Sequence, residues 1–210
     1  MTEHKFFSGD LDINLDSMLD DMRMVELEIM SGKAPQITPE LLESMHGSLS
    51  TTSLSRYYNV FAMPTLSFYK LYLGLRDKMR EVSDHYGLDF EKQRFYISGW
   101  INMDTKDDPN FLEGLFFHEH YGGTGAPDFH GYFSVNAEPS RTLYKVDAGE
   151  EVTYIENKNN RFLISETGHP HTRGFWEQDF TRATLAYDII PLQRLEERRN
   201  GLGTQTWIPL

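Results

Sequence analysis

The chain changes period at Gly87, and that change constrains its fold more than any other feature. Before it, Leu75, Met79, Val82 and Tyr86 recur at steps of 4, 3 and 4 within 64–87. That spacing puts them on one stripe and predicts an amphipathic helix buried on that side. After it, the pattern alternates through RFYISGWINM (94–103), EGLFFHEHY (113–121), HGYFSVNA (130–137), RTLYKVDA (141–148), EEVTYIEN (150–157), NRFLISE (160–166) and RATLAYDII (182–190). These are short runs of β-branched and aromatic residues punctuated by Gly, Pro, Asn and Asp, the pattern of half-buried strands. Seven of them predict a mostly β chain, a double-sheeted β-barrel or jelly roll, with an α-helical layer packed outside it.

At 210 residues the chain is expected to form a single domain, 1–210. Its parts are a helical N-terminal layer (1–90), a β core (95–191) and a C-terminal helix and tail (192–210). In the helical layer, LDSMLDDMRMVELEIMSG is amphipathic and reaches Gly32, a residue suited to a helix C-cap. TPELLESMHGS (38–48) predicts a short helix with Thr38 as N-cap and Pro39 in its first turn. In the tail, Trp207 could cover a sheet edge or reach the second copy of a homodimer.

Composition removes several classes of chemistry. Twenty Lys and Arg against 32 Asp and Glu give a formal net charge of −12, which disfavours nucleic acid and anionic membrane as partners. With no cysteine, disulfides, thiolate metal sites and thiol nucleophiles are excluded, leaving His, Asp and Glu as the strong metal ligands. The first residues, MTEHKFFSGDLDINLD, are acidic without an apolar leader, and no stretch reaches the roughly 20 apolar residues of a membrane span. The expectation is a soluble, cytoplasmic protein.

Five of the eight histidines lie between 118 and 171: His118, His120, His130, His169 and His171. Residues two apart on a strand share a face, so His118 with His120, and His169 with His171, would project together. Two such pairs in the β half point to a metal site, and imidazole without thiolate, with positions left open for substrate, suits non-haem Fe(II). Downstream, Arg182 and Thr184 share one face of a strand, with Ala186 beyond, while Ala183, Leu185, Tyr187 and Ile189 take the other. An inward arginine requires an anion, either a bound carboxylate gripped by the guanidinium fork or an interior Asp or Glu.

These residues carry a resemblance. ISGWINM (97–103), Gly114 six residues before His120, the H-x-H at 118–120, HGYFSVNAEPSRTLY (130–144), NRFLIS before His171, and HTRGFW followed by TRATLAYDI together resemble the Fe(II)/2-oxoglutarate-dependent oxygenases. The similarity is to the small prolyl-hydroxylase-like and phage-type members, over roughly residues 95–191. It implies a double-stranded β-helix, Fe(II) as metal, and 2-oxoglutarate and O2 as cosubstrates. It also implies His171 as the distal ligand, one of His118 and His120 as the proximal ligand, and Arg182 with Thr184 on the far carboxylate of 2-oxoglutarate. The implied activity is hydroxylation of a small molecule or a side chain.

One part of the family pattern is missing. Where the family has His-x-Asp or His-x-Glu, this chain has Gly122 if His120 is proximal, or His120 if His118 is. An all-imidazole set of His118, His120 and His171 resolves this. Alternatives are a carboxylate from Asp128 or Glu119, or a His-x-Gly site like that of the iron halogenases, with a halide in the open position. His130 could serve behind the ligands or replace one. YGGTGAPDF (121–129) suits a mobile lid, and SRYYNVFAMP (55–64) and Trp100 supply aromatic surface for either a substrate pocket or the core. Two further readings are a cupin-like three-histidine dioxygenase that uses no cosubstrate and a non-catalytic metal-binding β-barrel module.

Overall fold

The computed structural model describes residues 6–31, 49–50, 58–106, 117–120, 128–146, 152–198 and 207–210. Gly32, the short helix expected over 38–48, Gly114 and lid residues 121–127, with Gly122 among them, lie outside the described residues.

In chain order the elements are β1 (Phe6–Asp10), α1 (Leu15–Met30), β2 (Leu49–Ser50), a 3-10 turn (Val60–Ala62), α2 (Leu66–His85), α3 (Phe90–Gln93) and β3 (Phe95–Asp104). There follow β4 (Phe129–Asn136), β5 (Ser140–Lys145), β6 (Val152–Asn157), β7 (Arg161–Glu166), β8 (His171–Arg173), β9 (Arg182–Pro191), α4 (Leu192–Arg198) and β10 (Ile208–Pro209). One sheet runs β1-β7-β4-β9-β3-β10, with β2 also on β3, and the other runs β6-β5-β8. Every paired strand is antiparallel. The fold is therefore mixed, with helices and two antiparallel sheets. No described helix is long and apolar enough to cross a membrane.

The predicted helix forms as α2. Thr65 caps it by accepting from the Phe68 amide, and Gly87, at φ +66°, follows its end. Phe68, Leu71, Leu75, Met79 and Val82 form its buried stripe. With Met18, Met22 and Val25 of α1, they pack on Ile97, Phe129, Phe133, Ile164, Leu185 and Tyr187 of the larger sheet. Each such side chain stabilises the fold by roughly 1.5–3 kcal/mol on burial. The alternate residues of the same strands, Trp100, Tyr132, Leu163 and Ala186, form a second cluster with Tyr144 of the smaller sheet. Period-2 alternation thus gives the larger sheet a helix-facing surface and a sheet-facing surface.

Among the strands that fall where the sequence pattern offers no run are β1, β2 and β10. β1 pairs with β7 from Phe6↔Ser165 to Asp10↔Arg161, inside the expected helical layer. FFSGD is too short for a readable period, and its place is set by the edge that β7 presents. β10 covers β3, with Ile208 opposite Ile97 and Tyr72 donating to the Pro209 carbonyl at 2.7 Å. The tail thus covers the β3 edge through Ile208 and Pro209.

Gly131 of β4 lies between Ile164 and Tyr187 in the sheet. The Tyr187 hydroxyl donates to the Leu163 carbonyl at 2.9 Å, which carries its ring across the glycine. A Cβ at 131 would meet the Leu163 carbonyl oxygen at 2.1 Å and Tyr187 Cε2 at 2.5 Å. Gly131→Ala is expected to cost about 2–3 kcal/mol by overpacking. Urea unfolding checks this, and an unchanged midpoint would refute the packing.

Candidate metal centre

Between the two sheets, the alternating faces deliver a cluster of ionisable side chains. β8 contributes His171, β4 His130 and β9 Asp188. His118 joins through an isolated antiparallel bridge to His171, with reciprocal backbone hydrogen bonds of 2.8 and 3.0 Å. Residues so paired project to one face, and their rings lie 4.6 Å apart between centroids. Two groups of candidate ligands result: His118, His120 and His171, and a two-histidine, one-carboxylate group of His120, His130 and Asp188. Within each, the ligand atoms lie within 4.8 Å of one another.

Asp188 is the carboxylate that the structure brings to the H-x-H histidine His120. It is buried, lies opposite His130 in the sheet, and accepts from His130 Nδ1 at 2.9 Å. His120 Nδ1 lies 3.1 Å from Asp188 Oδ1 and 3.2 Å from Oδ2. Of the carboxylates considered from the sequence, neither Asp128 nor Glu119 falls in either group. Glu119 is exposed. Asp128 is buried but ion-paired to Arg194 of α4 at 3.3 Å, so it ties that helix to the start of β4. His169 contributes its backbone carbonyl, 3.2 Å from His171 Nδ1. Trp100 lies nearly parallel to the His120 ring at 5.7 Å and belongs to the site, whereas Phe61 of the SRYYNVFAMP stretch joins the helix-side core.

Burial and neighbouring charge set the protonation states. Burial alone would push the Asp188 carboxyl up, but the charge and hydrogen bonds of His120 and His130 hold it below the usual range. Burial disfavours the charged form of His120, yet the Asp188 carboxylate outweighs it and raises that imidazole. Burial, then His120, push His130 down to about 4. Burial, then His130, His120 and His118, push His171 down to about 2. A metal-binding imidazole must be neutral, so burial favours ligation by His130 and His171 at neutral pH, whereas the raised His120 has to give up a proton to bind.

A second buried cluster surrounds Arg182. Its Nη1 donates to Asp104 at 2.9 Å and to Thr184 Oγ1 at 3.4 Å, and its Nε donates to Ser140 at 3.2 Å. Asp104 is the cross-strand neighbour of Arg182, and its other oxygen accepts from Arg173 Nη1. Desolvation lowers both arginines to about 10, which leaves them charged at neutral pH. The inward arginine foreseen from the sequence thus has an interior acid, and a second arginine shares it. Asp104, Arg173 and Asp188 escaped the sequence reading, although parity was available for two of them. Asp188 follows Arg182 by six residues on one strand, and Arg173 follows His171 by two.

No protein-family model matches the sequence, and no curated protein matches it. Among solved structures, the chain is similar to the non-haem monooxygenase ThoJ in complex with nickel, at a TM-score of 0.53 and 11% identity, over 90% of this chain and 74% of that one. That likeness shows the fold alone. A prolyl-4-hydroxylase from Pseudomonas putida aligns at a TM-score of 0.47 and 10% identity, over 90% of this chain and 94% of that one, too distant a likeness to build on.

The depressed histidines fix a pH dependence. Unfolded imidazoles take protons below about pH 6.5, while His130 and His171 resist until about 4 and about 2. The unfolded chain therefore binds more protons in this window, and stability falls as pH falls. The raised His120 acts in the opposite direction, and its contribution is already complete below pH 6.5. Metal-free protein is expected to lose about 1–3 kcal/mol per pH unit between pH 6.5 and 5, where each such group contributes up to about 1.4. Chemical unfolding at pH 7, 6 and 5 measures it, and a flat profile would contradict buried neutral imidazoles.

Proposed function

We propose that this chain is a non-haem Fe(II)/2-oxoglutarate-dependent oxygenase that hydroxylates a C–H bond of a small molecule or a side chain. The observation that carries the reading is the imidazole cluster between the two sheets, with His171 buried, His120 half-buried and His118 exposed, beside the inner face of the larger sheet that bears Arg182 and Thr184. The sheet orders β1-β7-β4-β9-β3 and β6-β5-β8, with the His118 segment bridged to β8, support a double-stranded β-helix whose mouth holds the site.

His118, His120 and His171 are the ligands of choice. An imidazole bound at about 2.1 Å puts its ring centroid about 3.2 Å from the metal, so rings at octahedral or tetrahedral angles have centroids about 4.5–5.2 Å apart. The three pairs measure 4.6, 5.2 and 5.3 Å. Bound iron and 2-oxoglutarate would supply oxidative decarboxylation to succinate and CO2 coupled to substrate oxidation. The chain's own share is to hold and orient. The His169 carbonyl and Asp188 fix the ring orientations of His171 and His120. Trp100 and Tyr144 wall the cluster with apolar surface. Arg182 and Thr184 would take the far carboxylate of 2-oxoglutarate, with Arg173 adding positive charge beside Asp104.

The Asp104–Arg182 pair favours a second reading. An arginine already held by an interior acid fits a three-histidine, cupin-like dioxygenase that needs no cosubstrate. Anaerobic Fe(II) loading, 2-oxoglutarate binding and succinate release on adding O2 separate the two. Protein that binds iron but neither binds nor consumes 2-oxoglutarate would move the assignment to the second reading. His171→Ala is expected to abolish Fe(II) binding. Arg182→Ala should leave Fe(II) binding intact while weakening 2-oxoglutarate about 10- to 100-fold, the worth of a charge-assisted hydrogen-bond pair.

A further inference from the structure

We propose that Asp188 is a positioning residue and not a metal ligand: it holds His120 from behind, so that the metal meets three imidazoles while the negative charge lies one hydrogen bond away. This rests on the reading that His118, His120 and His171 hold the metal.

The hydrogen bonds give the first argument. A backbone carbonyl only accepts, so His171 Nδ1, 3.2 Å from the His169 oxygen, carries the proton and Nε2 is its metal-binding nitrogen. An ionised carboxylate likewise only accepts. Asp188 therefore imposes the same tautomer on His120, whose Nδ1 it meets at 3.1–3.2 Å, and on His130 at 2.9 Å. Two histidines from different segments thus present Nε2, each fixed by an acceptor behind it, which is the arrangement that orients metal-binding imidazoles.

The surroundings of Asp188 give the second. It is 1% exposed, and the groups that meet its oxygens are imidazole Nδ1 atoms, of His130 at 2.9 Å and of His120 at 3.1–3.2 Å, so its charge is taken up by the two rings that flank it. His130 is the second arm that keeps Asp188 in place, on the neighbouring strand and at its cross-strand position.

An all-imidazole site lacks the negative charge that a ligating carboxylate would bring. Asp188, fully buried on β9, supplies that charge without occupying a coordination position, and it raises the basicity of His120 through the shared proton.

Two measurements on the full chain test this. In the Zn(II)-loaded wild type, imidazole nitrogen chemical shifts are expected to show His118, His120 and His171 bound to metal, His120 and His171 through Nε2 with a protonated Nδ1, and His130 unbound. Coordination of His120 through Nδ1, or of His130 at all, overturns the proposal, and this measurement needs no variant to fold. In Co(II) titrations, Asp188→Asn should weaken binding about 10- to 100-fold with the visible spectrum of the bound ion unchanged. A changed spectrum would make Asp188 a ligand, and unchanged affinity would remove its role; either overturns the proposal. His130→Ala should still bind Co(II) with the parent spectrum, whereas His118→Ala should not. Neither measurement uses 2-oxoglutarate or O2. A three-imidazole wild type that ignores 2-oxoglutarate would therefore defeat the oxygenase reading and leave this one standing. A wild type that binds no metal defeats both.

Discussion

Strand β9 is buried along its whole length, and the rest of the molecule is arranged around that fact. It pairs with β3 and β4 on its two edges. Ala183, Leu185, Tyr187 and Ile189 go to the helices, and Arg182, Thr184, Ala186 and Asp188 alternate with them towards the smaller sheet. A strand covered on both faces can carry charge only where each charge finds a partner, because an unpaired buried ion costs several kcal/mol. Asp188 finds two imidazoles and Arg182 finds Asp104. The candidate site is thus a consequence of how this strand tolerates burial.

The two clusters on that face differ in kind. Around Asp188, one carboxylate serves two histidines, and burial keeps His130 and His171 neutral, the state in which they can ligate. Around Asp104, one carboxylate serves two arginines, which stay charged. The first suits a cation and the second an anion, and they share one strand. The helical layer backs both clusters from the other side of the strand through Tyr187 and its neighbours.

Much of this was readable in advance. The 4, 3, 4 spacing of Leu75, Met79, Val82 and Tyr86 located α2, and alternation located most of the strands of both sheets. His118, His120 and His171 lie together as a group, the set that the family resemblance implied. β1, β2 and β10 were not readable, because runs of two to five residues have no period and take their place from whichever edge is open. Asp188 was readable in principle. It shares parity with Arg182, and an acid in TLAYDII is unusual for a strand with an apolar face on its other side. The carboxylates near the motif in sequence, Glu119 and Asp128, are not the ones that reach it, and β-pairing supplies one from 68 residues beyond His120.

The sequence by itself determined the long helix α2, the longer strands with their faces, and the side chains open to a metal, because period and composition act locally and the absence of cysteine leaves only imidazole and carboxylate. The tertiary structure alone decided which carboxylate reaches the histidines, which acid meets Arg182, and that Asp128 belongs to Arg194. Those pairings depend on strand register, which brings His130 opposite Asp188 and Asp104 opposite Arg182. Register follows from the whole hydrophobic pattern and the turns between strands, so it is not written at any one position in the chain.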